Sequence, residues 1–213
     1  MGFALTAKDY AEYIKLAYEK IHASREYVTE LDAATGDGDH WVNINMGFEK
    51  LVESLPELEV MSLSDEFRKI GMIMMSVIGG SSGVLYGSAY MEAAKTLKGK
   101  ETIGSAELCE ILNAMLTGIM KRGDGKPGMK TMIDALYPAA ERCKQCIADG
   151  MDEKETLEKV KQAALDGAES TEEMEAVRGR ACYQANKGIG HLDPGAVTMS
   201  YQIEALVDYV LKK

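Results

Sequence analysis

Three aspartates stand within eight residues of one another, at Asp32, Asp37 and Asp39. Carboxylates packed this closely repel unless a divalent cation neutralises them. Magnesium suits such hard oxygen ligands, since it commonly takes one or more carboxylates together with water and substrate phosphates. An EF-hand does not fit: counted from Asp37, the twelfth position is Phe48 instead of glutamate. The same residues also suit a solvated acidic turn in which the Asp39 side chain caps the next helix. His40, Asn43 and Asn45 open that helix. Free amides and neutral donors there suit a phosphate, and asparagine also serves as an ordinary cap.

Three further segments carry chemistry. Gly79-Gly80-Ser81-Ser82-Gly83 leads into a helix and offers backbone N–H groups and two hydroxyls to an anion. It is not a Walker A loop, because neither the Gly-Lys-Ser/Thr ending nor a preceding strand is present. The run from Arg122 through Gly123, Gly125 and Gly128 to Met132 combines mobile backbone, cations and a soft methionine able to pack on a flat base. The run from Gly179-Arg180 to Gly195 supplies an arginine that can brace a transferring phosphoryl group. In it, Asp193 precedes Pro194 and caps the last helix, while His191 suits capping or packing equally. Carboxylates for magnesium, helix N-termini for phosphates and an arginine for developing charge are what phosphoryl transfer requires. Zinc and redox chemistry lack support, because Cys143-x-x-Cys146 has no second pair and there are three histidines in all. A serine nucleophile lacks its Gly-x-Ser-x-Gly elbow.

The elements that must position these groups are helical. From Thr6 as N-cap, Tyr10, Ile14, Ala17, Ile21, Val28 and Leu31 recur at three, four or seven, predicting one long amphipathic helix. Further helices are predicted at about 40–55, from Ser64 to about 78, at 83–97, 105–122, 130–148, 153–178 and 195–211. No stretch alternates with period two, so no strand is predicted. Of the 21 glycines, eleven cluster at four of the seven connections, the first, third, fifth and seventh. In an up-and-down bundle alternate connections share one end. Glycine weakens an ordered helical protein unless backbone must turn sharply or approach a ligand. For eight helices in an up-and-down bundle, the alternation therefore predicts a binding site at one end. Glycines that merely terminate helices are the plainer explanation of any single corner.

Composition bounds the rest. The chain has 213 residues, of which 46% are hydrophobic, enough for a substantial core in a single all-α domain over 1–213. Its 24 basic and 34 acidic residues give a net charge of −10, which excludes nucleic acid and anionic membrane as partners. No apolar run reaches 18 residues and the N-terminus has no signal-peptide core, so the cytoplasm is the expected location. The four cysteines are accordingly expected as free thiols, and the Met72, Met74, Met75 cluster as core.

Gly36-Asp37-Gly38-Asp39-His40, Gly79-Gly80-Ser81-Ser82-Gly83, Lys126-Pro127-Gly128 with Lys130-Thr131-Met132-Ile133-Asp134, and Gly190-His191-Leu192-Asp193-Pro194-Gly195-Ala196 resemble one family in order and spacing. It is the nucleotide-binding L subunit of bacterial dihydroxyacetone kinases. The resemblance covers essentially the whole chain. It implies an eight-helix antiparallel up-and-down barrel holding ADP or ATP and two magnesium ions at one end. The family's metal aspartates fall on Asp32, Asp37 and Asp39. Its phosphate contacts fall on His40 to Asn43, including Trp41 and Val42, and on Ser81 and Ser82. Its nucleotide pocket includes Gly123 and Met132, the arginine near the phosphates falls on Arg180, and the Asp-Pro contact on Asp193. The resemblance also implies partners: an M subunit that recharges ADP from a phosphohistidine, a K subunit that holds dihydroxyacetone, and in some members a transcription regulator. Three features depart from the family. Trp41 replaces a usual glycine, Met129 a usual acidic residue, and 182–188 lacks the usual Gly-Glu-Arg-Ser run. The alternatives are a nucleotide-binding regulatory module and a paralogue acting on another short ketose with free ATP.

Overall fold

The computed structural model describes residues 2–213. Among them are ten α-helices: α1 (Ala7–Ala23), α2 (Arg25–Thr35), α3 (His40–Glu53), α4 (Leu55–Leu58), α5 (Leu63–Val77), α6 (Gly80–Thr96), α7 (Ser105–Gly123), α8 (Ile133–Ala148), α9 (Glu153–Ser170) and α10 (Pro194–Lys212). The only β pairing among the described residues is one isolated bridge, Leu5 with Ile103. None of these helices is long and apolar enough to cross a membrane.

The all-α expectation holds, and several boundaries move for local reasons. The first predicted helix breaks at Ser24, whose amide and hydroxyl both donate to the Ile21 carbonyl, at 3.1 and 2.7 Å. A side chain competing for that carbonyl ends one helix, and the chain restarts as α2. α5 starts at Leu63, ahead of the predicted Ser64, because Ser62 caps it by accepting from the Asp65 amide at 3.2 Å. Ser64 is buried and donates to the Ala94 carbonyl instead, at 2.8 Å. α9 stops at Ser170 rather than near Arg178. There the hydroxyls of Ser170 and Thr171 turn back to the Gly167 and Ala168 carbonyls, at 2.7 and 2.6 Å. The chain from 171 to 193 is irregular, with two short 3-10 turns at Thr171–Glu173 and Arg180–Tyr183.

The long helices pack side by side in a closed circuit: α1 on α3, α3 on α5, α5 on α6, and so on through α7, α8 and α9 to α10, which returns to α1. Small residues allow the closest contacts. A Cβ at Gly118 would come 2.5 Å from the Ser88 carbonyl oxygen, and one at Gly167 would collide with that of Asp134. Their glycines let α7 approach α6, and α9 approach α8, backbone to backbone.

The same packing corrects the cysteine expectation. α7 and α8 lie adjacent, which brings the Cα atoms of Cys109 and Cys143 to 5.6 Å, and the two form a disulfide. Their sequence separation of 34 hid the pairing. Cys146 and Cys182 are free, and Cys146 is buried, as expected of a core edge.

One core residue breaks the apolar pattern. Glu66 on α5 is 0% exposed and its carboxylate oxygens have no hydrogen-bond partner among the described residues. Burial pushes its carboxyl up to about 9, from 4.5. A carboxyl whose folded-state pKa is raised contributes most below its unfolded pKa, and the contribution is lost as pH rises through the folded value. Stability should therefore fall between about pH 4.5 and 9, by up to about 1.4 kcal/mol per pH unit for this group. Glu66→Gln cannot ionise and should show a flatter profile over that window. Urea midpoints measured from pH 5 to 9 check this, and parallel profiles for the two proteins would contradict it.

Candidate nucleotide and metal site

The four glycine-rich corners meet. They line one cavity of about 710 Å³, a volume typical of small-molecule sites. Asp32 and Asp39 come from corner one, Ser81 and Ser82 from corner three, Gly123 and Met132 from corner five, and Arg180 and Asp193 from corner seven.

Corner one gathers the carboxylates. One oxygen from each of Asp32, Asp37 and Asp39 lies within 4.8 Å of the others. Asp32 is buried at the end of α2, and its Oδ2 accepts from the His40 amide at 2.9 Å. That bond fills the capping role that the acidic-turn alternative gave to Asp39, whose side chain makes no capping bond to α3. Burial raises the Asp39 carboxyl, and the neighbouring Asp37 and Asp32 charges raise it further. Repulsion among hard oxygens is the chemistry a divalent cation such as magnesium would neutralise. Arg180 currently offsets part of it, its Nη2 lying 2.7 Å from Asp37 Oδ2.

Anion-binding groups face the carboxylates. The amides of Trp41 and Val42, in the first turn of α3, have no acceptor among the described residues, so the positive end of the helix stays available. Asn43 ties corner one to corner three: its Oδ1 accepts from the Gly79 amide at 3.2 Å and its Nδ2 donates to the Asp39 carbonyl at 3.0 Å. Gly80, at φ +66°, turns the chain into α6, which carries Ser81 and Ser82 in its first turn. Burial holds the His40 imidazole below its usual pKa, against a smaller opposing pull from Asp32.

The opposite wall is cross-braced. Asp134 Oδ2 accepts from the Thr131 amide at 2.8 Å and its Oδ1 from that of Gly128, folding corner five over the start of α8. Lys130 is 2% exposed and donates to the carbonyls of Thr171 and His191, fastening corner five to corner seven. Its left-handed φ of +59° explains why α8 begins at Ile133 rather than at the predicted Lys130. Asp193 caps α10 by accepting from the Ala196 amide at 2.7 Å, as predicted, and burial pushes its carboxyl up to about 7.

Residues 34–208, which take in the glycines of all four corners, match the family profile described as the DAK2 domain. The chain belongs to the DAK2-domain family. Among relatives of this DAK2 domain is the PEP-dependent dihydroxyacetone kinase, ADP-binding subunit DhaL, of Escherichia coli, 35% identical over 85% of this chain and 86% of that protein. The PTS-dependent counterpart of Lactococcus lactis is 34% identical over 97% of this chain and 99% of its own length. The dihydroxyacetone kinase of C. freundii, solved in complex with AMP-PNP and Mg2+, superposes with a TM-score of 0.72 at 28% identity. The DAK2 domain described here covers 93% of its own length in that match and 33% of the C. freundii chain.

Two expected positions do not present side chains to the cavity of this DAK2 domain. Trp41 packs with Val28 and Val197, and its Nε1 donates to the Ile21 carbonyl at 2.9 Å. Val42 points to solvent. Both are left with only their backbone amides to offer. Sequence reasoning missed Thr35 and Arg178 as lining residues, and read Lys130 only as one of the corner-five cations. A lysine in a glycine-rich loop reads as a solvated cation, and its two carbonyl partners lie 41 and 61 residues away.

Proposed function

We propose that the chain is the ADP-binding subunit of a phosphoenolpyruvate-dependent dihydroxyacetone kinase. It would hold ADP with two magnesium ions in the cytoplasm and pass a phosphoryl group to dihydroxyacetone on a partner K subunit, recharged by a phosphohistidine M subunit. The convergence of four glycine corners on one cavity, with three carboxylates at its edge, carries this reading. The names of the DhaL relatives, which align along nearly their full length, support it.

The donor set fits magnesium, and when bound the metal supplies charge neutralisation at the transferring phosphates. The chain's own residues do the rest. Asp32, Asp37 and Asp39 provide oxygen ligands. The α3 amides of Trp41 and Val42, with His40, Asn43, Ser81 and Ser82, orient phosphate oxygens. Gly123 and Met132 bound the cavity where a base would lie, and Asp193 holds the start of α10 at its floor. Arg180 is two-thirds exposed at the mouth, where a partner's substrate would approach, and stabilises charge developing there.

Transfer tests the reading. With K and M subunits, phosphoenolpyruvate and the general phosphotransferase proteins present, dihydroxyacetone phosphate should form only when this chain is added. Nucleotide binding without any transfer would favour the regulatory reading. Transfer from free ATP, or to another short ketose only, would favour the paralogue. Tyr183, 89% exposed in the segment that departs from the family pattern, stands where such partner specificity would be expressed.

A further inference from the structure

His40 reaches the cavity from the first position of α3, and one of its ring nitrogens is already taken. His40 Nε2 lies 2.9 Å from Thr198 Oγ1 on α10. Thr198 is 0% exposed. Its hydroxyl also faces the carbonyls of Pro194, at 3.1 Å, and Gly195, at 3.3 Å. A carbonyl oxygen can only accept, and a hydroxyl has one hydrogen to give. With its hydrogen turned back along its own helix, where those carbonyls accept, the Thr198 hydroxyl presents a lone pair to the imidazole. In that arrangement Nε2 is the donor and carries the proton whether the ring is neutral or charged. Nδ1 has no protein partner among the described residues.

The hydroxyl is itself held in place. Gln202 Nε2 donates to the Thr198 carbonyl and to the Tyr86 hydroxyl, both at 2.9 Å, and Gln202 is buried. One turn earlier, Asp193 caps the same helix. A threonine that bonds only its preceding turn would satisfy its donor and leave the acceptor unused. Here the acceptor is aimed at a residue from a helix more than 150 positions away in sequence.

We propose that Thr198 is a positioning residue that fixes the His40 ring in the Nε2–H form, so that Nδ1 is the nitrogen offered to a bound phosphate oxygen. Resting on the nucleotide reading above, this assigns a role to a helix residue outside every glycine corner. Thr198→Val keeps the shape and removes the acceptor. It frees the ring to exchange tautomers and leaves Nε2–H unpaired.

The test uses the full chain labelled with 15N-histidine. Its three histidines are His22, His40 and His191, and His40→Gln assigns the signal. Long-range 1H–15N spectra, recorded where the ring is neutral, should show the Nε2–H tautomer for His40. In Thr198→Val that signature should give way to a tautomer mixture, and Mg-ADP affinity should fall about tenfold. Thr198→Ser, which retains the acceptor, should restore both. An unchanged tautomer in Thr198→Val, or an Nδ1–H tautomer in the unsubstituted protein, overturns the assignment. Failure of the unsubstituted protein to bind Mg-ADP overturns the nucleotide reading instead, and the tautomer still reports whether Thr198 holds the ring.

Discussion

Asp37→Ala should lose magnesium-dependent ADP binding almost entirely, with affinity falling on the order of a hundredfold to a thousandfold. Asp37 contributes one of the three clustered oxygens and is the one that reaches Arg180. Removing it deprives the cation of a hard ligand where substitutes are few. It also frees Arg180 to approach phosphate directly, so weak metal-independent binding should persist. The fold should tolerate the change, since the Asp37 side chain is over a third exposed and its partner more so. Exposed ion pairs contribute little to stability. Equilibrium dialysis of ADP with and without magnesium, beside a thermal melt, separates these effects. Equal magnesium dependence in the two proteins would remove Asp37 from the metal site. Asp32 would be a poorer test, because its carboxylate also anchors the His40 amide and a loss there would mix folding with binding.

Arg180→Ala should act on a different quantity. Arginines that stabilise the charge of a transferring phosphoryl group are worth roughly a thousandfold or more in rate. The turnover of the reconstituted system should drop by about that factor, while ADP affinity changes only a few-fold. The reason is geometric: Arg180 stands at the mouth rather than in the cradle of helix N-termini, and its partner is the carboxylate of Asp37. Were a cation to engage Asp37, the arginine would be freed from that carboxylate to face the reacting group. Transfer assays at saturating K subunit check this. A loss of ADP affinity as large as the loss of rate would make Arg180 a binding residue only.

Much of this site was legible in the sequence because it is built from local signals. Asp32, Asp37 and Asp39 are near neighbours in the chain, and glycine clusters mark where backbone turns or closes on a ligand. Helical topology then required alternate corners to share an end, and the cavity is where they meet. What the sequence hid is mostly long-range. The Cys109–Cys143 bond, the two carbonyls bound by Lys130 and the contact of Thr198 with His40 all join distant segments. Periodicity reports which face of a helix is apolar and not which helix lies opposite. The other misses are local competitions of hydroxyls for backbone. Ser24 and Thr171 end helices that propensity alone would continue, and Asp32 takes the capping bond that the acidic-turn alternative gave to Asp39.

The central claim is that this cavity holds Mg-ADP as a resident coenzyme. The most direct measurement is to purify the full chain with magnesium present, wash it extensively, denature it and identify the released small molecule by chromatography and mass. The account predicts about one ADP per chain, lost when magnesium is chelated before washing and lost in Asp37→Ala. A chain that releases nothing, and that binds neither ADP nor ATP when magnesium is supplied, would contradict it.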